Sequence, residues 1–179
     1  MGSLKRFRLT RLALALALTA GLRAQPMGGY DVKAAFLYTF ARFVEWPAEA
    51  GIGPISIGVI GRDPFGGRLE DTVRGKWVNG REFSVVHLRS DEGARRCQIV
   101  FIGASERGRI PEVLQSMRYS PVLTVGDSPG FCAQGGVIGM KVVGGRMRFD
   151  INLDAAERAQ FKISSKLLAV ACTMREGQR

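Results

Sequence analysis

The chain is poor in the residues from which most active sites are built. It holds one histidine, His87, and three cysteines, Cys97, Cys132 and Cys172. These four are widely separated and lack the close ligand spacing of a zinc site, so no metal centre is expected. Three thiols allow at most one internal disulfide in an oxidising compartment, and the sequence does not choose the pair. G-x-S-x-G is absent, and Ser105 in Gly103-Ala-Ser-Glu-Arg-Gly108 lacks the elbow spacing. A lone histidine in mid-strand reads as structural rather than as a base. Nothing near Cys132 announces the cationic or helix-start setting that would activate a thiol, which leaves it structural or oxidisable. The glycines at 58, 61, 66 and 67 match neither a dinucleotide fingerprint nor a P-loop, so they predict a structural turn. Neither enzymatic activity nor a cofactor is expected.

Acidic residues are missing altogether from the first 24 positions, which carry Lys5, Arg6, Arg8, Arg11 and Arg23 around an apolar run from Leu12 to Leu22. That layout is a cleavable secretory signal, with cleavage after Ala20 or Ala24. The run is about eleven residues, short of the roughly 20 needed to cross a bilayer. No cysteine follows it to take a lipid, and no twin arginines precede it. The formal charge of +10 is therefore misleading: five of the 26 basic residues lie in the signal, leaving 21 against 16 acidic ones, a net +5. Those cations are dispersed among acids, with no stripe of stacking aromatics, so nucleic-acid binding is not supported. The remaining 155 or so residues, 25–179, suit a single domain able to bury about 70% of its unfolded surface.

Hydrophobic periodicity then sets the fold class. Val32, Phe36, Phe40, Phe43 and Val44 recur at helical spacing within Val32–Pro47, with Lys33, Arg42 and Glu45 on or near the other side. Pro47 is expected to end that helix at Trp46. Most such stripes are core-packing, and a partner-binding role for Trp46 is the sharper alternative. Strands are predicted over 55–60, 83–88, 98–102 and 121–125, the first and third of them buried, with helices through Leu69 and Val73 and from Pro111 to Met117. Alternating strands and helices argue for an α/β domain. Beyond residue 136, two strands over 137–143 and 146–152 flank Gly144-Gly145, a hairpin signal that makes the sheet mixed. Helices over 154–159 and 164–171 close the chain. The predicted architecture is a three-layer sandwich, with a mixed, mostly parallel sheet of about six strands flanked by helices.

The richest polar cluster lies near the end. Arg146, Arg148, Asp150 and Asn152 alternate along one strand face, and Lys162, Ser164 and Ser165 follow a helix later. Such groups suit a small carboxylate or phosphate, with Asp150 holding an amine or orienting an arginine. An exposed strand face followed by a helix cap is the plainer reading, and both stay open.

Five segments in order, AAFLYTFARFVEWP, IGVIGRDPFGGRL, CQIVFIG, LTVGDSPGFCAQGGVIGM and RFDINLDAAERAQFKISSKLLAVA, resemble the YfiR family of exported bacterial proteins across nearly the whole chain after the signal. The resemblance implies a periplasmic, non-enzymatic α/β regulator that forms homodimers. Its best-understood members repress an inner-membrane diguanylate cyclase through the periplasmic sensor region of that enzyme. Repression lowers cyclic-di-GMP and biofilm formation, and an outer-membrane lipoprotein sequesters the repressor. The alternative is a periplasmic receptor-like domain that binds a small molecule and has no cyclase partner. The resemblance further implies a site for a small anionic or amino-acid-like ligand at Asp150, Arg158, Lys162 and Ser164. It places disulfide partners for Cys97 and Cys132 near Gly58 and Gly139, where this chain has no thiol, so redox control by those bonds is not carried over.

Overall fold

The structure, a computed structural model, describes residues 29–50 and 53–175. The predicted signal, residues 1–24, lies outside them. The chain opens on helix α1 (Gly29–Phe43) and passes through the short strand β1 (Val44–Glu45) before entering the main sheet at β2 (Ile55–Ile60). Helix α2 (Arg68–Val73) leads to β3 (Trp77–Val78) and β4 (Arg81–Leu88). A 3-10 segment at Asp91–Arg96 then returns the chain to β5 (Ile99–Ile102). Next come α3 (Ile110–Ser116), β6 (Leu123–Gly126), β7 (Ile138–Val143) and β8 (Arg146–Asn152). The chain closes through α4 (Leu153–Arg158), β9 (Lys162–Ile163), α5 (Ser165–Leu168) and β10 (Cys172–Met174).

Eight strands form one sheet in the order β10-β8-β7-β6-β5-β2-β4-β3. Only the β7–β8 and β3–β4 junctions are antiparallel; the other five are parallel. The six predicted strands are present, and β3 and β10 extend the sheet at its two edges. Gly144 and Gly145, with φ of 57° and 73°, supply the two left-handed residues that a type I′ turn requires between β7 and β8.

Strand alternation divides the interior into two cores. Ile57, Val59, Ile99, Phe101, Leu123, Val125, Phe149 and Ile151 point to the first, under α1, α2, α4 and α5. Ile60, Val100 and Ile102 point to the second, where α3 lays Ile110, Val113 and Leu114 beside Ala94, Cys97 and Phe131. The domain is thus a three-layer α/β sandwich, as predicted.

Two predicted helices end earlier than the sequence pattern suggests. α1 ends at Phe43, and Val44 and Glu45 pair antiparallel with Ile163 and Lys162 as a separate two-stranded ribbon. The buried line of α1 runs through Ala34, Leu37, Phe40 and Ala41, with Phe36 and Phe43 partly buried beside it. Val32 is not in that core, and Lys33, expected on the polar side, has a side chain only 13% exposed. At the other end, α5 stops at Leu168 and Cys172–Met174 joins the sheet edge beside β8. In both places a strand partner distant in sequence outcompetes local helical periodicity.

Candidate functional site

In open parallel sheets, ligands bind outside the carboxyl ends of the strands, most often where the strand order reverses. Here that reversal lies between β2 and β5. The crevice there is bridged, because the Arg62 amide donates to Ser105 Oγ at 2.9 Å and Phe65 is fully buried under the turn. Asp63 is spent on the same turn, accepting from the amides of Phe65 and Gly66 at 2.8 and 3.0 Å.

The open space lies farther along the same end, beside β6 and β7. A cavity of about 540 Å³ is bounded by Asp127 and Ser128 after β6, Cys132, Lys141 of β7, Asp150 of β8 and Met174 of β10. Asp127 follows four consecutive buried residues of β6 and has a side chain only 5% exposed. Lys33 and Tyr30, both from the first turns of α1, donate to its Oδ2, the tyrosine at 3.3 Å. Asp127 Oδ1 is buried with no hydrogen-bond partner, and so is the hydroxyl of Ser128. On the opposite wall Lys141 Nζ donates to both oxygens of Asp150, at 2.7 and 2.8 Å. That bond, first among the causes, holds the Lys141 ammonium above the usual lysine range.

Cys132 sits deeper. Its Sγ lies 3.6 Å from the Val137 carbonyl and 3.5 Å from the Asp150 carbonyl. Burial first, and the nearby Asp150 carboxylate second, push its pKa up to about 12. The thiol therefore stays protonated and is a poor nucleophile. Burial also raises Cys97. All three cysteines are free, and only Cys172 is exposed. A Cβ built on Gly58 would stand 3.0 Å from Cys97 Sγ, and one on Gly139 would stand 3.2 Å from Cys132 Sγ. The two glycines thus face the two buried thiols across the space a disulfide would fill.

The predicted ligand residues fall in different places. Asp150 lines the cavity just described. Arg158 lines a second cavity of about 200 Å³ between α3 and α4, where the hydroxyl of Thr124 already accepts from the Val137 amide. Lys162 is exposed in the β1–β9 ribbon beside Glu45, and Ser164 caps α5 by accepting from the Lys166 amide. Of the alternating strand residues, Arg146 and Arg148 are exposed, whereas Asn152 is buried. Asn152 caps α4 and donates to the Cys132 carbonyl at 2.9 Å. Trp46 is half-buried, stacked edge-on to Phe161 at 6.0 Å, and its indole N–H donates to the Gln98 carbonyl at 3.2 Å. His87 is paired with Glu70 at 2.9 Å on the surface.

Asp127, Ser128, Lys33 and Lys141 were not singled out from the sequence. A signal for the first two was available: Gly126-Asp-Ser-Pro-Gly130 closes an entirely buried parallel strand, the position from which α/β sheets present ligand contacts.

The match to the YfiR/HmsC-like family spans residues 30–172, most of the chain and all of the central sheet except its last two edge residues. The chain belongs to the YfiR/HmsC-like family. Membership supports a periplasmic, regulator-like domain in a regulatory, non-catalytic family. Among solved structures, a conserved domain protein from Vibrio cholerae O1 biovar El Tor is similar at 12% identity and a TM-score of 0.54, over 83% of this chain and 60% of that one. A second, the ABC domain from Streptococcus pneumoniae in complex with L-Trp, is similar at 12% identity and a TM-score of 0.49, over 66% of this chain and 54% of that one. The chain spans little more than half the length of these two structures; at such identity the first likeness bears on the fold alone, and the second carries no argument. No helix among the described residues is long and apolar enough to cross a membrane.

Proposed function

We propose that this protein is an exported, non-enzymatic repressor that binds the periplasmic sensor region of an inner-membrane diguanylate cyclase, lowering cyclic-di-GMP output and biofilm formation. The observation that carries this reading is the family match over residues 30–172. Two further features support it. Residues 1–24 read as an export signal, and the one buried thiol beside the main cavity is held protonated, which suits a binding protein better than a catalyst. In this reading the protein works as a homodimer, and an outer-membrane lipoprotein competes for it. Partner contact falls at the β1–β9 ribbon, where Glu45 and Lys162 are exposed and Trp46 is half-buried beside them.

The test is in-cell crosslinking from a photoreactive residue at position 45 or 162, followed by identification of the captured protein. The expected product is an inner-membrane protein with a cytoplasmic cyclase domain. Capture of soluble periplasmic proteins alone would overturn the reading.

A further inference from the structure

The β7–β8 hairpin outruns the sheet that carries it. β6 pairs with β7 only at Ile138 and Gly139, and β10 meets β8 only from Asp150 onward, so residues 140–149 have no flanking strand. The base of this projection is anchored, because Met140 and Phe149 are buried and Met147 packs against the aromatic core. Its tip is bare: Val142 and Val143 are 61% and 54% exposed, although the turn itself needs only the two glycines that follow. A third valine, Val170, is exposed in the turn before β10, which starts with Cys172 opposite Asp150 and runs parallel to β8, so this turn lies toward the hairpin. Three of the six exposed large apolar side chains among the described residues thus gather at one end.

The charge there is as one-sided. Residues 140–149 hold Lys141, Arg146 and Arg148 and no acid. Lys141 is committed to Asp150 at 2.7 Å, whereas Arg146 and Arg148 are exposed and make no ion pair with a described residue. Arg146 is opposite Val143 and Arg148 opposite Lys141, so strand alternation puts Val143 and both arginines on one face. Arg148 stands two residues behind Arg146, about 6–7 Å farther from the tip. That depth matches the polar layer of a bilayer, roughly 5–7 Å on each side of the hydrocarbon.

We propose that the hairpin tip docks on an anionic lipid bilayer, with Val142 and Val143 entering the interface and Arg146 and Arg148 binding lipid phosphates. A projecting tip offers no groove to hold a peptide, and its order of layers, apolar first and cationic behind, is that of a bilayer surface. Guanidinium groups suit phosphate oxygens, which they meet with two parallel N–H donors. Two valines and two arginines give reversible attachment rather than a permanent anchor. This contact goes beyond the repressor reading, because it needs no protein partner and uses no residue of the β1–β9 ribbon.

The test is co-sedimentation of the protein, purified from the periplasm, with vesicles of phosphatidylcholine alone or mixed with phosphatidylglycerol at about two to one. The mixed vesicles should bind it at least about tenfold more tightly than the neutral ones. Arg146→Gln combined with Arg148→Gln should weaken that binding about ten- to thirtyfold, since each cation near an anionic surface contributes about fivefold. Val142→Ser combined with Val143→Ser should weaken it about three- to tenfold through lost apolar burial. Both variants change exposed side chains and should melt with the wild type. Equal binding to neutral and mixed vesicles, or unchanged binding in the arginine variant, would overturn the proposal. So would a lack of binding to either vesicle, the result expected if an acidic protein or a second copy of the chain covers the tip instead. The vesicles hold no protein, so that failure would leave the crosslinking test of the repressor reading standing.

Discussion

The two faces of the sheet are built on different terms. The first is dry and aromatic: Phe40 meets Phe149 at 5.3 Å, Phe36 meets Phe149 at 5.6 Å, and Phe65 meets Phe101 at 4.9 Å, all edge-on or tilted. Across the sheet, Phe131 is the one aromatic of the second core among the described residues, in a cluster otherwise built from aliphatic side chains such as Ile102, Ile110 and Val113. Thr124, Cys132, Asp150 and Asn152 face that side, and both cavities draw part of their lining from it. One face therefore holds the fold by aromatic area and shape, while the other packs aliphatic and small polar groups around a single ring. Substitutions on the two sides should fail in different ways.

The largest effect is expected on the aromatic face. Phe40 is fully buried and sits against Phe36 and Phe149, so Phe40→Ala should cost about 3–5 kcal/mol of unfolding free energy by chemical denaturation. A loss below about 1 kcal/mol would mean that the aromatic stack is not the main support.

The opposite face should be more sensitive to added volume than to lost volume. The Phe131 ring is clamped between Gly126 and Gly136, and a Cβ on Gly136 would collide with Phe131 Cε1. Gly136→Ala should therefore cost about 1–3 kcal/mol through overpacking. A variant as stable as the wild type would show that the ring has room to move.

The titration of Cys132 acts only at alkaline pH and leaves stability near neutrality untouched. Its raised pKa means that the folded state keeps a proton that the unfolded thiol gives up above pH about 9, so this group's contribution to stability is present below pH 9 and lost as pH rises toward 12. Wild type should lose more stability than Cys132→Ala over that window in parallel melts. Parallel curves would contradict the buried, protonated assignment. Under native conditions a maleimide should label Cys172 alone, with Cys97 and Cys132 reacting after denaturation.

The same contrast explains what could be read in advance. Strands β2, β5 and β6 announce themselves because both their faces are buried, and the β7–β8 hairpin because Gly144-Gly145 has few other uses. The short edge strand β3 carried a signal of the same kind in Asn79-Gly80, both at positive φ before β4. The β1–β9 ribbon carried none, since Val44 finds its partner Ile163 more than a hundred residues away.

The site was legible only in part for a related reason. Arg146 and Arg148 stand out as charged letters but remain at the surface, whereas Asp127 and Lys33 become a pair only when α1 packs across the end of β6. Lys162 and Ser164 follow Asp150 closely in sequence, yet they belong to the ribbon and to a helix cap rather than to the cavity.

The most direct test of the regulatory account is the cyclic-di-GMP content of cells lacking this protein, compared with cells in which the full chain is restored. The account predicts a rise on deletion and a return to the starting level on restoration. An unchanged level in the deletion strain would contradict it.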